Sequence, residues 1–159
     1  MRELDVLGVR VDMPSNQPIL LLQESGGSRV LPIWIGAAAA ASIAQALEGR
    51  VPPRPMTHDL MASLLAELGH TDVHGRITEM VETAEGGGTF HAELEVDGHV
   101  IPARPSDLVA LAVRSGIVLS APESLLDQVG VEIEEPAKDE VERFREFLDH
   151  VNPDDFEAS

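Results

Sequence analysis

Apolar and polar residues alternate from the beginning of the chain, and residues 3–12 read as a half-buried β-strand with a bulge at Gly8. Two more apolar runs, residues 18–24 and 29–35, follow on either side of a Ser-Gly-Gly-Ser turn. Short apolar runs bounded by Gly, Pro and Ser are typical of strands. The first 35 residues therefore predict a meander of three strands.

Three later segments predict helices. The alanine-rich residues 37–48 have high helix propensity and stop at Gly49, and their thin surface favours close packing on the sheet or on a second subunit. Plain helix propensity explains the alanines equally well. Leucines recur at helical spacing after Thr57, which is a predicted N-cap, and a further helix is predicted from Ser106, also as N-cap, to Gly116.

Strands are predicted between and after these helices. Residues 72–82 and 88–96 form two polar-apolar runs, and the Asp97-Gly98 pair is a strong hairpin signal leading into residues 99–103. A short strand at 117–120 precedes a short helix that begins near Pro122. We therefore expect one domain over residues 1–130, followed over 131–159 by an acidic amphipathic helix and a disordered tail.

Composition restricts the location and the chemistry. No apolar run reaches the roughly 18 to 20 residues that span a bilayer, and the charged N-terminus does not resemble an export signal. The chain has no Cys, so disulfides and thiolate metal sites are excluded. We expect a cytoplasmic protein that does not bind membranes.

The formal net charge is −17, and residues 127–159 contribute 12 acidic and 3 basic side chains to it. Such a field repels phosphate backbones, and the sequence shows no basic surface for nucleic acid. Only one of the 11 basic residues is Lys. An anion site is therefore expected to consist of discrete guanidinium groups, and Arg54 and Arg104 are the candidates.

Each of these two arginines precedes a Pro, a hydroxyl residue and an Asp at the start of a predicted helix. If the two helix starts converge, they can bind an anion between them, and His58 can act as general acid or base. The expected anion-binding residues are Arg54, Thr57, Arg104 and Ser106. The expected catalytic residues are His58, Asp59 and Asp107, with the aspartates orienting the histidine or holding a divalent cation such as Mg²⁺ or Mn²⁺.

A purely structural interpretation of the same residues is at least as common in proteins. Thr57 and Ser106 then cap helices, and each Arg pairs with the Asp beside it. Elsewhere, hairpin pairing places His91, Glu93 and Glu95 on one face, more typical of a solvated sheet than of a metal site. Trp34, in an apolar strand, is expected in the core, and His70 and His74 are expected in loops.

Four stretches, in this order, resemble the bifunctional nuclease domain family, also known as a domain of unknown function: LPIWIG, ALEG, RPMTHDL and ARPSDLVALA. The resemblance spans roughly residues 4 to 129 and implies an α+β domain with a mixed, largely antiparallel sheet packed by helices. It also implies homo-oligomers and cleavage of DNA and RNA. Where the family tends to have Glu, Asp and Tyr, this chain has Ala39, Pro102 and His91.

The residues and the resemblance together indicate two alternative functions. The first is metal-assisted hydrolysis of phosphodiester bonds at the two Arg-Pro corners. The second is a non-catalytic oligomeric module that binds a small anionic ligand or a protein partner. The acidic charge, the two missing carboxylates and the scarcity of stacking aromatic residues weigh against a nuclease, so the residues by themselves support the two functions about equally.

Overall fold

The structure, a computed structural model, describes residues 1–133 of the 159-residue chain. These residues form eight strands and four helices, which confirms the α+β class. The strands are β1 (Arg2–Asp12), β2 (Gln17–Glu24), β3 (Arg29–Trp34), β4 (Val73–Glu82), β5 (Gly88–Val96), β6 (His99–Ala103), β7 (Val118–Ala121) and β8 (Val131–Glu132). The helices are α1 (Ala37–Leu47), α2 (Thr57–Glu67), α3 (Pro105–Ser115) and α4 (Glu123–Val129).

All eight strands form one sheet in the order β6-β5-β4-β7-β1-β2-β3-β8. Every pairing is antiparallel except that of β4 with β7, which is parallel, so the sheet is mixed and largely antiparallel as expected. The β4-to-β7 connection contains the β5–β6 hairpin and α3, as a parallel connection requires. Of the predicted acidic helix and tail over residues 131–159, the structure describes only residues 131–133, of which Val131 and Glu132 form strand β8; the rest lies outside the described residues.

Local sequence signals fix two features of the sheet. The register shifts between Val6 and Gly8, and Gly8 has φ of 140°, which confirms the predicted bulge. Asp97 and Gly98 have φ of 48° and 82°, the two positive angles that a two-residue hairpin turn needs. Asp97 tolerates this conformation and Gly98 adopts it without steric cost.

The core lies on one face of the sheet, beneath the helices. The pairing register places Leu4, Leu119, Gly75 and Leu94 side by side across four strands, and these positions are buried. Helix α3 is the central helix, because it contacts α1, α2 and three strands and buries seven of its 11 residues. The sequence of α3, with apolar residues on most faces, is typical of a helix covered on several sides.

Helix α1 packs against α3 and the first two strands and buries Ala40 and Ile43, so its alanines do permit close packing on the sheet. Helix α2 is different. His58 is its only buried residue, while Leu60, Leu64 and Leu68 are 51–67% exposed. The apolar contact of α2 with the core comes from the partly buried Met61, Ala62 and Leu65, and polar contacts add to it.

Ion pairs attach α4 to the end of the sheet. Arg29 on β3 donates to the buried Glu24 on β2 and to Asp127 on α4, and Arg2 reaches Glu24 and Glu123. The hydrogen bond from Arg29 lowers the pKa of Glu24 below its ordinary value and more than offsets the effect of burial. Glu24 is therefore ionised at neutral pH although it is 8% exposed.

Candidate functional site

The two predicted corners meet. His58, in the first turn of α2, lies with Nε2 2.9 Å from Oδ1 of Asp107, in the first turn of α3. The other oxygen of Asp107 accepts a hydrogen bond of 2.8 Å from Nε of Arg104, the N-cap residue of α3. Asp107 thus connects two other residues that the sequence proposed for the same site, His58 and Arg104, although His58 is 49 positions away in the chain.

The same network continues into α1. Nδ1 of His58 is 2.7 Å from the Ser42 hydroxyl, which also accepts a 3.1 Å hydrogen bond from Arg114 in the last turn of α3. Arg114 donates in addition to Oδ1 of Asp59 at 2.8 Å and to the carbonyl oxygens of Ser42 and Ala110. A continuous network of hydrogen bonds therefore connects α1, α2 and α3.

The sequence reasoning missed Ser42 and Arg114. A signal for Arg114 was present: it is seven residues, or two helical turns, after Asp107 and so lies on the same face of α3. Ser42 is one of two polar residues within the alanine-rich α1. A hydroxyl in an otherwise apolar helix needs a buried partner, which is also a usable signal.

Hydrogen bonds hold both aspartates in the ionised form. The bonds from Arg114 and from the backbone N–H of Met56 lower the pKa of Asp59. Burial by itself raises the pKa of Asp107, but the bonds from Arg104 and His58 outweigh it and the net shift is downward. Asp107 in turn raises the pKa of Arg104. The corner is therefore a set of fixed charges at neutral pH.

A cleft of about 310 Å³ opens beside this corner, where α1 and α3 both begin. The residues that line it include Trp34, Gly36, Thr89, Phe90, Arg104 and Ser106. Trp34 is 55% exposed, so its predicted place in the core is wrong. It follows the buried Ile33 in the strand and, because side chains alternate, it points away from the core.

The family model described as the bifunctional nuclease domain matches residues 20–134, well over half of the chain. The chain belongs to the bifunctional nuclease domain family. It is also similar to two uncharacterized proteins of Mycobacterium tuberculosis, from strains CDC 1551 / Oshkosh and ATCC 25618 / H37Rv. Each is 48% identical over 169 residues, covering 100% of both chains.

In this bifunctional nuclease domain the N-caps of α2 and α3 lie one and two residues before the predicted positions, Thr57 and Ser106. Helix α2 starts at Thr57 with Met56 as N-cap, since Asp59 accepts the Met56 N–H. Helix α3 starts at Pro105 with Arg104 as N-cap, because Pro is favoured at the first helical position. Thr57 and Ser106 are therefore not N-caps, contrary to the prediction.

The predicted Arg-Asp pairing holds at one corner only. Arg104 pairs with Asp107, but Asp59 pairs with Arg114, since Arg114 is nearly buried and faces α2 from α3. Arg54 is exposed and makes no ion pair or side-chain hydrogen bond within residues 1–133. The exposed Thr57 makes no side-chain hydrogen bond in that range either. The contacts thus join Arg104 to His58 and Asp107 and leave Arg54 and Thr57 apart from them.

The remaining candidates lie on the hairpin side of the domain. His91, Glu93 and Glu95 alternate with buried residues on β5, as predicted, and Glu95 pairs with Arg76 on β4. His74 lies in β4 and not in a loop, since the strand begins at Val73. No group of three or more His, Asp or Glu side chains in the described part of the chain is arranged to hold a metal ion. Within the same residues, no helix is long and apolar enough to cross a membrane.

Proposed function

We propose that the protein hydrolyses phosphodiester bonds of DNA or RNA at the corner where α2 and α3 begin. The observation that supports this most is the 2.9 Å contact between His58 and Asp107, with Arg104 on the other oxygen of Asp107. An acid–base residue, a carboxylate that orients it and a cation for phosphate are the parts that such a reaction needs. Membership of the bifunctional nuclease domain family supports a nuclease-related role.

The proposed roles follow from exposure. The Arg104 side chain is 76% exposed and is free to bind a phosphate oxygen while its Nε remains on Asp107. Asp107 orients His58. The His58 side chain is 11% exposed and both of its ring nitrogens have partners, Ser42 and Asp107. A catalytic role for His58 therefore requires that one nitrogen exchanges its partner for substrate or for water.

The donor set at this corner does not fit a resident divalent cation. Both oxygens of Asp107 and both oxygens of Asp59 already accept hydrogen bonds, from His58, Arg104, Arg114 and the Met56 N–H. A cation would have to compete with two guanidinium groups for these carboxylates. A metal ion at this corner would therefore have to displace Arg104 or Arg114, and Mg²⁺, Mn²⁺ and a chelator are compared in the assay.

The test is hydrolysis of single- and double-stranded DNA and RNA by the purified protein with Mg²⁺, with Mn²⁺ or with a chelator. We expect cleavage that falls by about 100-fold or more in His58→Gln and Asp107→Asn, as is usual when an acid–base group is removed. Arg50→Ala, which removes a 74% exposed arginine paired with Glu48, is a control that should leave cleavage unchanged. Cleavage that persists in both site variants at unchanged fold would refute the assignment.

A second candidate, the non-catalytic oligomeric module that binds a small anion or a protein partner, has its own support. All four carboxylate oxygens and both His58 nitrogens at the corner are already engaged, which is the state of a structural network. Leu60, Leu64 and Leu68 also form an exposed stripe along one face of α2, such as subunit or partner contacts use. Absence of hydrolysis together with a native mass above that of one chain would favour this function.

A further inference from the structure

The cleft at the starts of α1 and α3 differs in charge from the rest of the molecule. Residues 1–133 contain 18 acidic and 8 basic side chains, a formal charge of −10. Within this part of the chain, Arg104 is nevertheless the only charged residue that lines this cleft. The cleft between β2 and β8, by contrast, is lined by Asp5, Glu24 and Glu132. An anion is therefore disfavoured over most of the surface and favoured here.

Backbone donors add to this positive charge. Helix α1 begins after Gly36 and α3 after Arg104, and neither N-cap residue supplies a side-chain hydrogen bond. The first helical bonds are those of Ala40 and Leu108, so the N–H groups of residues 37–39 and 106–107 have no acceptor within the described residues. Free N–H groups at helix starts bind phosphate and carboxylate groups.

Ser106 is an independent indication of a ligand. The residue is 8% exposed, and its hydroxyl makes no hydrogen bond to the described part of the chain. Every fully enclosed side-chain nitrogen or oxygen in that part does have a partner, so the Ser106 hydroxyl must reach open space. The residue lines the cleft, and its hydroxyl is therefore available there to a ligand.

Aromatic residues are concentrated at the same place. The whole chain has one Trp, four Phe and no Tyr, and only Trp34 and Phe90 of these fall within residues 1–133. Both line the cleft, and Trp34 is more than half exposed at the end of its strand. An exposed Trp beside an anion site is the combination that binds a base together with its phosphate.

We propose that this cleft binds a nucleoside monophosphate unit, with its phosphate at the two helix starts beside Arg104 and Ser106 and its base against Trp34. Trp34 precedes the N-cap Gly36 by two residues, about 7 Å of extended chain, which is close enough for one ligand to reach both. The cavity volume is at the lower end of the roughly 300–1,000 Å³ of small-ligand sites. The inference deepens the proposed function, because it names the unit of nucleic acid that the same corner recognises.

The single Trp allows a direct binding measurement that does not depend on catalysis. Adenosine 5′-monophosphate is titrated into the full-length protein in the presence of a chelator, and Trp fluorescence is recorded. We expect saturable quenching by the nucleotide, competition without quenching by ribose 5-phosphate, and at least about tenfold weaker binding of adenosine, which lacks the charged group. By calorimetry, Trp34→Ala should weaken nucleotide binding roughly 5- to 140-fold.

Gly36→Asp separates a binding site from a merely structural corner. A Cβ at Gly36 meets no atom within 4 Å, and φ of −74° suits any residue, so the substitution is tolerated. Asp is a better N-cap than Gly and should keep or raise the melting temperature. It would also occupy the free N–H groups of α1 and repel phosphate, so nucleotide affinity should fall at least about tenfold. Arg50→Ala, which removes an exposed arginine outside the cleft, is the control that should bind normally.

Each outcome decides the matter. No quenching by the nucleotide, adenosine binding as tightly as its phosphate, or ribose 5-phosphate binding as tightly as the nucleotide would each overturn the proposal. Unchanged affinity in Gly36→Asp would do so as well. Nucleotide binding without hydrolysis in the nuclease assay supports this site and refutes the proposed reaction. Hydrolysis without nucleotide binding in the cleft supports the proposed reaction and refutes this binding site. If free nucleotide does not inhibit cleavage of polymers, nucleic acid is recognised elsewhere on the protein.

Discussion

Replacing Arg114 tests most directly how much the hydrogen-bond network between α1, α2 and α3 stabilises the domain. Its side chain is 10% exposed and donates four hydrogen bonds, to Asp59, to Ala110 and twice to Ser42. Met has a similar unbranched stem, so Arg114→Met keeps most of the packing and removes the donors. Because α2 buries only His58, the loss should fall mainly on that helix.

The expected cost can be worked from the contacts. Breaking a buried ion pair by removing one partner costs about 3–5 kcal/mol, and Asp59 is partly exposed at 26%, which reduces that figure. Asp59 also keeps the Met56 N–H as a partner. We expect a loss of about 2–4 kcal/mol in the free energy of unfolding, or roughly 10 °C in melting temperature for a domain of this size.

Urea unfolding measures the global loss, and amide hydrogen exchange locates it. Exchange should accelerate in α2 more than in the central strands, because local opening of α2 no longer breaks the contacts to Arg114. The double variant Arg114→Met with Asp59→Asn completes a mutant cycle, and we expect a coupling energy of about 1–3 kcal/mol between the two side chains. Arg54→Met is the control and should change stability by less than about 0.5 kcal/mol.

A loss below about 1 kcal/mol in Arg114→Met would contradict this reasoning. It would mean that the network contributes no more than an exposed surface ion pair does. Uniform acceleration of exchange over the whole domain would also contradict it, because α2 would then unfold only together with the core.

Two further predictions test the core and the charges. Gly75→Ala should destabilise the domain by about 1–3 kcal/mol in urea unfolding, because the added Cβ would lie 2.8–3.0 Å from two buried leucine side chains. Gly36→Ala is the control and should not destabilise the domain, because its Cβ meets open space. Equal losses of stability in the two variants would argue against this packing. The pKa values of Asp59 and Asp107 are lowered in the folded state, so their stabilisation is present at neutral pH and is lost as pH falls below the ordinary value of about 4. The stability difference between the protein and an Asp59→Asn, Asp107→Asn double variant should therefore shrink from pH 6 to pH 3, and a constant difference would show that the carboxylate charges do not contribute.

Much of the fold could be predicted because its signals are local. The bulge at Gly8 and the hairpin at Asp97 depend on the φ angles that these residues adopt, and strand periodicity shows which side chains face the core. The caps of α2 and α3 were displaced, because Asp59 and Pro105 compete with the hydroxyl residues as starting signals. Trp34 was misplaced because a continuous apolar run hides the alternation that exposes every second side chain.

The candidate site could be predicted only in part. His58, Asp107 and Arg104 were identified from their types and from the repeated Arg-Pro corner, and the structure brings them into contact. The partner of Asp59 could not be identified, since Arg54 is near in sequence and Arg114 is near in space. Which charged side chains form an ion pair depends on the distance between them in the folded protein, and that distance cannot be read from the sequence.

The sequence by itself determined the element types, the α+β class, the acidic charge and the residues available for chemistry, because these depend on propensity, periodicity and composition. Tertiary structure alone decided that α1, α2 and α3 share one hydrogen-bonded network, and that α1 and α3 begin at one cleft beside Trp34 and Arg104. The physical reason is that convergence depends on how helices cross a twisted sheet, and that geometry arises from packing contacts between residues far apart in the chain.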